Sequence, residues 1–399
     1  MSAQAPDLAA AALSGLDEVE RRLVRFAQRL VATPSLPGEE AAVADLLVAE
    51  LETLGYREIE RDEHGNVVAR IGSGPNRLMF NGHVDHVPPA AMDDPYGAQI
   101  VDAAAYGGSG FAIRGRGSCD MKANVAAGAY AAAFLDPQQL RDGTYVFTAD
   151  VQEETDSPLG VPALLERGIR AEYGLSGEST QLDLYLGHRG KIQVDVTVKG
   201  RSSHASTPED GVNAVYRAIP FLRALEQMPR TLPADELYGR GTVTVTDVRA
   251  DPGAEVAVVP SGCTIRIDRR YVPSETPESA LAEIRALVER VGRETGTAAE
   301  VALVNVYPLM SIPADHPLVD AGRAAIAAVT GSEPRLKTWR FGVNATFMGA
   351  AGIPTIGIGP GSEDFAHTRD EHVPIDQLVR ASRIYADLIV RLCDGRSDR

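Results

Sequence analysis

The sequence predicts an α/β protein in which a mostly parallel sheet covered by helices is interrupted by a smaller, inserted α+β unit. Two observations carry this reading. In the N-terminal third and again near the C-terminal end, apolar runs of strand length alternate with amphipathic helical stretches, the pattern that layers helices on a parallel sheet. From Lys191 onward, strict alternation of apolar and polar residues takes over, the mark of antiparallel strands with one face in water. The length agrees: 399 residues exceed what one core usually serves, and 44% hydrophobic residues supply material for two domains.

In chain order, amphipathic helices are expected over 16–31 and 39–54, the second stopped by Gly55, followed by short strands over 67–71 and 78–81. Strands over 145–151 and 173–176 flank a helix over 162–167, where Pro162 suits a first helical turn. Ile192, Val194, Val196 and Val198 then alternate with Gln193, Asp195, Thr197 and Lys199. Similar alternation at 242–245 and 263–267, with helices over 212–227 and 278–293, completes the inserted unit, bounded as 191–308. The first domain, 1–190, resumes over 309–399 with a helix near 318–329, a buried strand over 353–358 and a closing helix over 375–392.

The net charge of −16 argues against nucleic acid or an anionic membrane as a partner, because both would repel an acidic surface. No Lys or Arg precedes Arg21, so the basic start of a signal peptide is missing. The longest apolar runs, such as 125–135, fall short of the roughly 20 residues a membrane span needs. A soluble, cytoplasmic protein is expected. Cys119, Cys263 and Cys393 are far apart and in no paired spacing, which points to free thiols and neither a disulfide framework nor a Cys-based zinc site.

Chemistry concentrates in short segments that each follow a strand, where open α/β sheets gather ligands. In Gly82-His83-Val84-Asp85, residues i and i+2 on a strand end share a face, so Asp85 can hold the His83 ring nitrogen turned away from a metal. Alone, His83 would be read as an ordinary core or surface histidine, as His86 is. Asp120 follows the turn Arg114-Gly115-Arg116-Gly117 and precedes a helix opening at Met121. Its carboxylate could offer one oxygen to each of two ions about 3.5–4 Å apart; a plain helix N-cap is an equal reading of this residue by itself. Glu153-Glu154 sit directly after an apolar strand, an arrangement unfavourable unless positive charge awaits them. Because neighbours point in different directions, one can ligate metal while the other acts as general base; a solvated loop start is the plainer alternative. Glu178 balances the His83 side and His367 adds a second imidazole. With Asp120 shared, each of two ions would receive one His, one Glu and the bridging Asp, an open catalytic arrangement. These nitrogen and oxygen donors suit zinc and also accept cobalt or manganese.

The wording and order of the segments resemble a family: the zinc-dependent metallopeptidases and deacylases that include acetylornithine deacetylase, succinyl-diaminopimelate desuccinylase, aminoacylase and glutamate carboxypeptidase. The motifs are Gly82-His83-Val84-Asp85, Gly115-Arg116-Gly117-Ser118-Cys119-Asp120-Met121-Lys122, Glu153-Glu154, Ser176-Gly177-Glu178, Gly187-His188-Arg189-Gly190, Ser203-His204-Ala205, and Gly359-Pro360-Gly361 with Ala366-His367, nearly spanning the chain. The resemblance implies a zinc-peptidase-like catalytic domain, with His83, Asp120 and Glu178 on one zinc, Glu154, Asp120 and His367 on the other, and Glu153 as general base. It makes the inserted unit a lid and dimerisation domain of a homodimer, whose His204 enters a partner's site to stabilise an oxyanion. It also places Arg189 and Arg270 where a cation meets the substrate carboxylate, with Arg269 an adjacent competitor. From the residues alone, His204 reads as a surface histidine and the arginines as surface ion pairs.

The implied substrate is an N-acyl amino acid or small peptide with a free carboxylate, since Glu at position 178 accompanies deacylases and carboxypeptidases in such enzymes. A dipeptidase or carboxypeptidase is the alternative within enzymes; a silent, metal-holding dimer that binds such molecules is the alternative outside them. Two departures stand out. Ala257 replaces an Asn common in relatives three residues before Pro260, and Thr338-Trp339-Arg340-Phe341-Gly342-Val343-Asn344 looks closest to a hydrolase subgroup linked to selenium metabolism.

Overall fold

A computed structural model describes residues 8–393. The chain divides into two compact units, Met1–Gly187 with Ser311–Trp339 and Val343–Arg399, and His188–Met310 with Arg340–Gly342.

The larger unit is built on a mixed sheet. Across it run Arg57–Arg61, Val67–Ser73, Gly143–Asp150, Asn76–His83, Tyr173–Ser176, Thr355–Gly357, Leu184–His188 and Met310–Ser311, with Leu336–Trp339 beside Leu184–His188. The four central strands are parallel neighbours. Gly143–Asp150 is buried at every position, as a strand covered on both sides must be. The margins turn antiparallel, with Val67–Ser73 against Gly143–Asp150 and Gly357 against Tyr185. Parallel register sets His83 opposite Asp150, and Ser176 opposite both Asn81 and Gly357. The loops that follow these strands therefore leave from one edge of the sheet.

Packing under that edge is tight. Phe80 stacks on Phe147 with ring centroids 5.5 Å apart and planes within 6°. A Cβ at Gly128 or Gly177 would come within 2.6 Å of the Phe80 ring, so glycine at both positions makes room for it. Helix Glu18–Val31 opens on an Asp17/Glu20 capping box and buries Leu23, Phe26, Ala27 and Leu30. Helix Ala41–Thr53 ends before Gly55, whose φ of +81° suits the glycine stop. Helix Ala123–Tyr130 is buried all round, and Ile375–Cys393 closes the unit. Among the described residues no helix is long and apolar enough to cross a membrane.

Two features differ from the sequence reading. The helix expected to open at Met121 begins at Ala123; Ser118–Lys122 is an irregular turn in which Asp120 and Met121 leave helical φ/ψ. Asp120 therefore does not cap that helix. A second, three-stranded antiparallel sheet of Gln99–Asp102, Phe111–Arg114 and His372–Pro374 was not expected, its strands being only three or four residues long.

The smaller unit is a four-stranded antiparallel sheet ordered Thr242–Asp251, Gly262–Tyr271, Gly190–Lys199, Ala299–Tyr307. The alternation in Gly190–Lys199 puts Ile192, Val194, Val196 and Val198 into a core with Ile265, Ile267, Phe221 and Ile284. Helix Ala214–Gln227 starts at Asn213, whose side chain accepts the Val215 N–H at 2.9 Å. Helix Pro277–Thr295 is framed by a Thr276/Ser279 capping box and Gly296 at φ +68°. Strand Ala299–Tyr307 escaped the sequence reading because Leu303, Val304 and Val306 face solvent, breaking the period-two signal.

Candidate metal centre

The loops at the carboxyl edge of the parallel strands bring His83, Asp120, Glu154, Glu178 and His367 into one cluster of the larger unit. Asp120 lies at its middle. Its Oδ1 stands 3.0 Å from His83 Nε2 and its Oδ2 stands 3.0 Å from His367 Nε2. Glu178 Oε1 is 3.6 Å from His83 Nε2, and Glu154 Oε1 is 3.0 Å from His367 Nε2. Ligand atoms of His83, Asp120 and Glu154 also lie within 4.8 Å of one another, so Glu154 reaches toward both imidazoles. His83 is almost fully buried, whereas half of the His367 side chain is exposed.

Asp85 organises the neighbouring loop. Its Oδ1 and Oδ2 accept the backbone N–H groups of Glu153 and Glu154, both at 3.1 Å. His83 Nδ1 faces the Asp85 backbone carbonyl at 3.2 Å and Asp85 Oδ1 at 3.3 Å, which leaves Nε2 for the Asp120 side. Gln152, at φ +57°, and Asp156, at φ +53°, bracket the short turn Glu153–Thr155 with left-handed backbone. His86 is structural: its Nε2 accepts the Ser35 N–H at 3.0 Å and its Nδ1 faces the Val87 carbonyl at 2.9 Å. Burial pushes its pKa down to about 4.

The electrostatics of the cluster are those of a site short of positive charge. Burial raises the pKa of Glu153 and Glu154 and carries Glu178 up to about 8, with the neighbouring carboxylates adding to the rise. Burial also opposes ionisation of Asp120, yet the hydrogen bonds from His367 and His83 outweigh it and hold this carboxyl below its ordinary range. Asp120 and Glu154 lift His367 to about 10. Burial penalises the His83 cation, but Asp120 and Asp85 overcome this and keep its pKa well above the usual value. Protons on imidazoles and carboxylates thus compensate a concentration of acid that divalent cations would neutralise. Two imidazole nitrogens and three carboxylates fit such cations as donors.

Three supporting residues were not foreseen. Asp150 is fully buried and held by the amides of Asn81 at 2.7 Å and Asn344 at 2.6 Å. An acid closing an apolar strand was the available signal. Asn124 donates to the Gly177 carbonyl at 2.6 Å, joining the Asp120 and Glu178 loops. Glu371 is fully buried and ion-paired with Arg116; its place in the charged run Arg369-Asp370-Glu371 gave no hint of that.

The remaining candidates lie in the smaller unit. His204 is exposed, and its Nδ1 accepts the Ser206 N–H at 3.2 Å, so a neutral ring carries its proton on Nε2. Arg189 donates to the Arg240 carbonyl at 2.7 Å. Arg270 forms a two-pronged pair with Asp268 at 2.8 and 3.1 Å. Arg269, the adjacent competitor, is fully buried between Glu275 and Glu283.

Fold and site together define the class, a metallohydrolase with a buried His/Asp/Glu group at the carboxyl edge of a parallel sheet. Residues 79–391 match the model of peptidase family M20/M25/M40, and the chain belongs to that family. It is 33% identical over 382 residues to the uncharacterized protein YgeY of Escherichia coli (strain K12), covering 91% of this chain and 93% of the relative. It is 28% identical over 386 residues to the succinyl-diaminopimelate desuccinylase of Dechloromonas aromatica (strain RCB), covering 92% of this chain and 98% of that one. Among solved structures, aminopeptidase PepT of Bacillus cereus ATCC 10987 matches with a TM-score of 0.73 at 24% identity, over 94% of this chain and 98% of that one, a likeness of fold.

Proposed function

We propose that this protein is a two-metal amidohydrolase cleaving the amide bond of an N-acyl amino acid or small peptide that carries a free carboxylate. The observation behind it is the Asp120 carboxylate, whose two oxygens each meet a different imidazole at 3.0 Å. His83, Asp120 and Glu178 would hold one ion, and His367, Asp120 and Glu154 the other, with zinc as the metal and cobalt or manganese compatible with the same donors. Bound there, the ions supply an acidified water and polarisation of the amide carbonyl.

The chain's own residues do the rest. Glu153, hung by its backbone from Asp85, takes the proton of the attacking water and passes it to the leaving nitrogen. Asp85 orients His83 through Nδ1. His204 on the inserted unit of a second copy would offer its Nε2–H to the tetrahedral oxyanion, the lid and dimerisation role that the family resemblance implies. Arg189 takes the substrate carboxylate; Arg270, already paired with Asp268, steers through charge. The solvent-facing Leu303, Val304 and Val306 on the edge strand Ala299–Tyr307 support pairing of two copies into a homodimer. Glu at position 178 favours a deacylase or carboxypeptidase over an aminopeptidase, and the Thr338 to Asn344 segment supports the selenium-metabolism-linked subgroup.

The test is hydrolysis by zinc-loaded protein of a panel of N-acyl amino acids and dipeptides, with a chelated sample alongside. Chelator-sensitive turnover of carboxylate-bearing substrates is expected. Equal turnover in the chelated sample, or preference for peptides with a blocked carboxyl end, would overturn the reading.

A further inference from the structure

We propose that Glu371, together with Arg116, is a positioning residue that sets the shape of the Asp120 turn before any metal ion arrives. The inference rests on the two-metal reading of the cluster, because its consequence is metal affinity. Its basis is a convergence of backbone and side chain on one carboxylate. Glu371 Oε1 accepts the N–H of Cys119 at 3.1 Å and the N–H of Asp120 at 3.2 Å. Its other oxygen pairs with Arg116, which is as buried as Glu371 itself, and its carbonyl accepts the Gly115 N–H at 3.3 Å.

Asp120 and Met121 leave helical geometry, so the turn is held by separate backbone bonds at its ends, Ser118 N–H to the Gly115 carbonyl at 3.2 Å and Lys122 N–H to the Gly117 carbonyl at 2.9 Å, and not by a regular ladder. A buried N–H without a partner is strongly unfavourable, and the Glu371 carboxylate supplies that partner to two consecutive residues. Burying a second carboxylate beside Asp120 is itself unfavourable, and the Arg116 guanidinium offsets it. An ion pair placed there adds orientation more than stability.

Glu371 also ties the turn to His367. It lies four residues after His367 and immediately before strand His372–Pro374, which pairs with Phe111–Arg114 so that His372 faces Arg114. One short pair of strands thus delivers the Asp120 turn from one side and the His367 segment from the other, and Glu371 bolts the two together. The distance between Asp120 Oδ2 and His367 Nε2 is set by this joint.

Two measurements test the proposal. In metal-free wild-type protein, amide hydrogen exchange should find the Cys119 and Asp120 amides protected, with little further gain on adding zinc chloride; amides that exchange freely until zinc is added would show that the ion orders the turn and would overturn the proposal. Two double variants remove the charge pair evenly: R116M/E371Q keeps a carbonyl acceptor for the two amides, and R116M/E371M does not. With similar melting temperatures, R116M/E371M should bind zinc at least about ten-fold more weakly in competition with a chromophoric chelator, and R116M/E371Q should recover most of the loss. Equal zinc affinity in the two would also overturn it. Wild-type protein that takes up fewer than two zinc ions sinks the two-metal reading and this role with it; protected amides in that case would mark Glu371 as purely structural.

Discussion

Asp85→Asn is the sharpest perturbation of the site, because it conserves shape and removes one function. The Asp85 carboxylate is fully buried and accepts two backbone N–H groups, from Glu153 and Glu154, one on each oxygen at 3.1 Å. An asparagine has one acceptor oxygen. Whichever way its amide is turned, one of the two N–H groups meets an NH2 group, donor against donor. The oxygen that lies 3.3 Å from His83 Nδ1 either stays and frees Glu154, or leaves and frees Glu153. Losing one hydrogen bond to a charged acceptor is worth about 1.5–3 kcal/mol, and at 1.4 kcal/mol per factor of ten that is roughly 10- to 150-fold. The loss should appear in zinc affinity, since in one orientation Glu154 loses its anchor and in the other His83 loses the side-chain oxygen facing its Nδ1, and the range agrees with the roughly 10–100-fold expected for partners of metal ligands. Competition with a chromophoric chelator, paired with thermal melts at fixed zinc, reads the affinity and separates it from unfolding. A folded D85N protein with zinc affinity within about two-fold of wild type would refute the argument.

Glu153→Gln should leave zinc stoichiometry intact and lower turnover by about 10²–10⁴; substantial residual hydrolysis removes Glu153 as the base. Zinc affinity should climb between about pH 6 and 8. His367, lifted to about 10 by Asp120 and Glu154, and Glu178, raised to about 8 by burial, both carry protons near neutrality that an incoming ion must displace. Calorimetry in buffers of different ionisation enthalpy should report proton release; pH-independent affinity would contradict it. Gly359→Ala places a Cβ 2.3 Å from the carbonyl oxygens of Gly177 and Glu178. Backbone cannot yield cheaply there, so destabilisation toward the upper end of about 1–3 kcal/mol is expected in urea unfolding, and an unchanged midpoint would show the approach to be soft.

Much of this was legible from residues alone where burial leaves a periodic trace. Ile192 to Val198 announced their strand because one face is core and the other is not. The parallel centre of the large sheet was legible for the complementary reason, continuous apolar runs, but its antiparallel margins were not: Val67–Ser73 reads the same whichever way its neighbour runs. Ala299–Tyr307 was lost because Leu303, Val304 and Val306 are apolar yet face solvent, which breaks the alternation that burial writes elsewhere. In the site, His83, Asp120 and the two glutamates could be suspected from their places after strands. Glu371 could not, since its partners lie some 250 positions earlier and only the fold brings them to it.

The unequal burial of the two imidazoles has a kinetic meaning. Around His83 nearly every surface is covered, while half of His367 faces water. On the two-metal proposal, a cation beside His367 would exchange its ligands for solvent one at a time, whereas one beside His83 would have to wait for protein to open. Loading and stripping would then run in a fixed sequence, the deep position filling first and emptying last. A brief exposure to chelator would yield a half-loaded species rather than a mixture of full and empty molecules, and in a cell where metal supply fluctuates, the outer position would respond first.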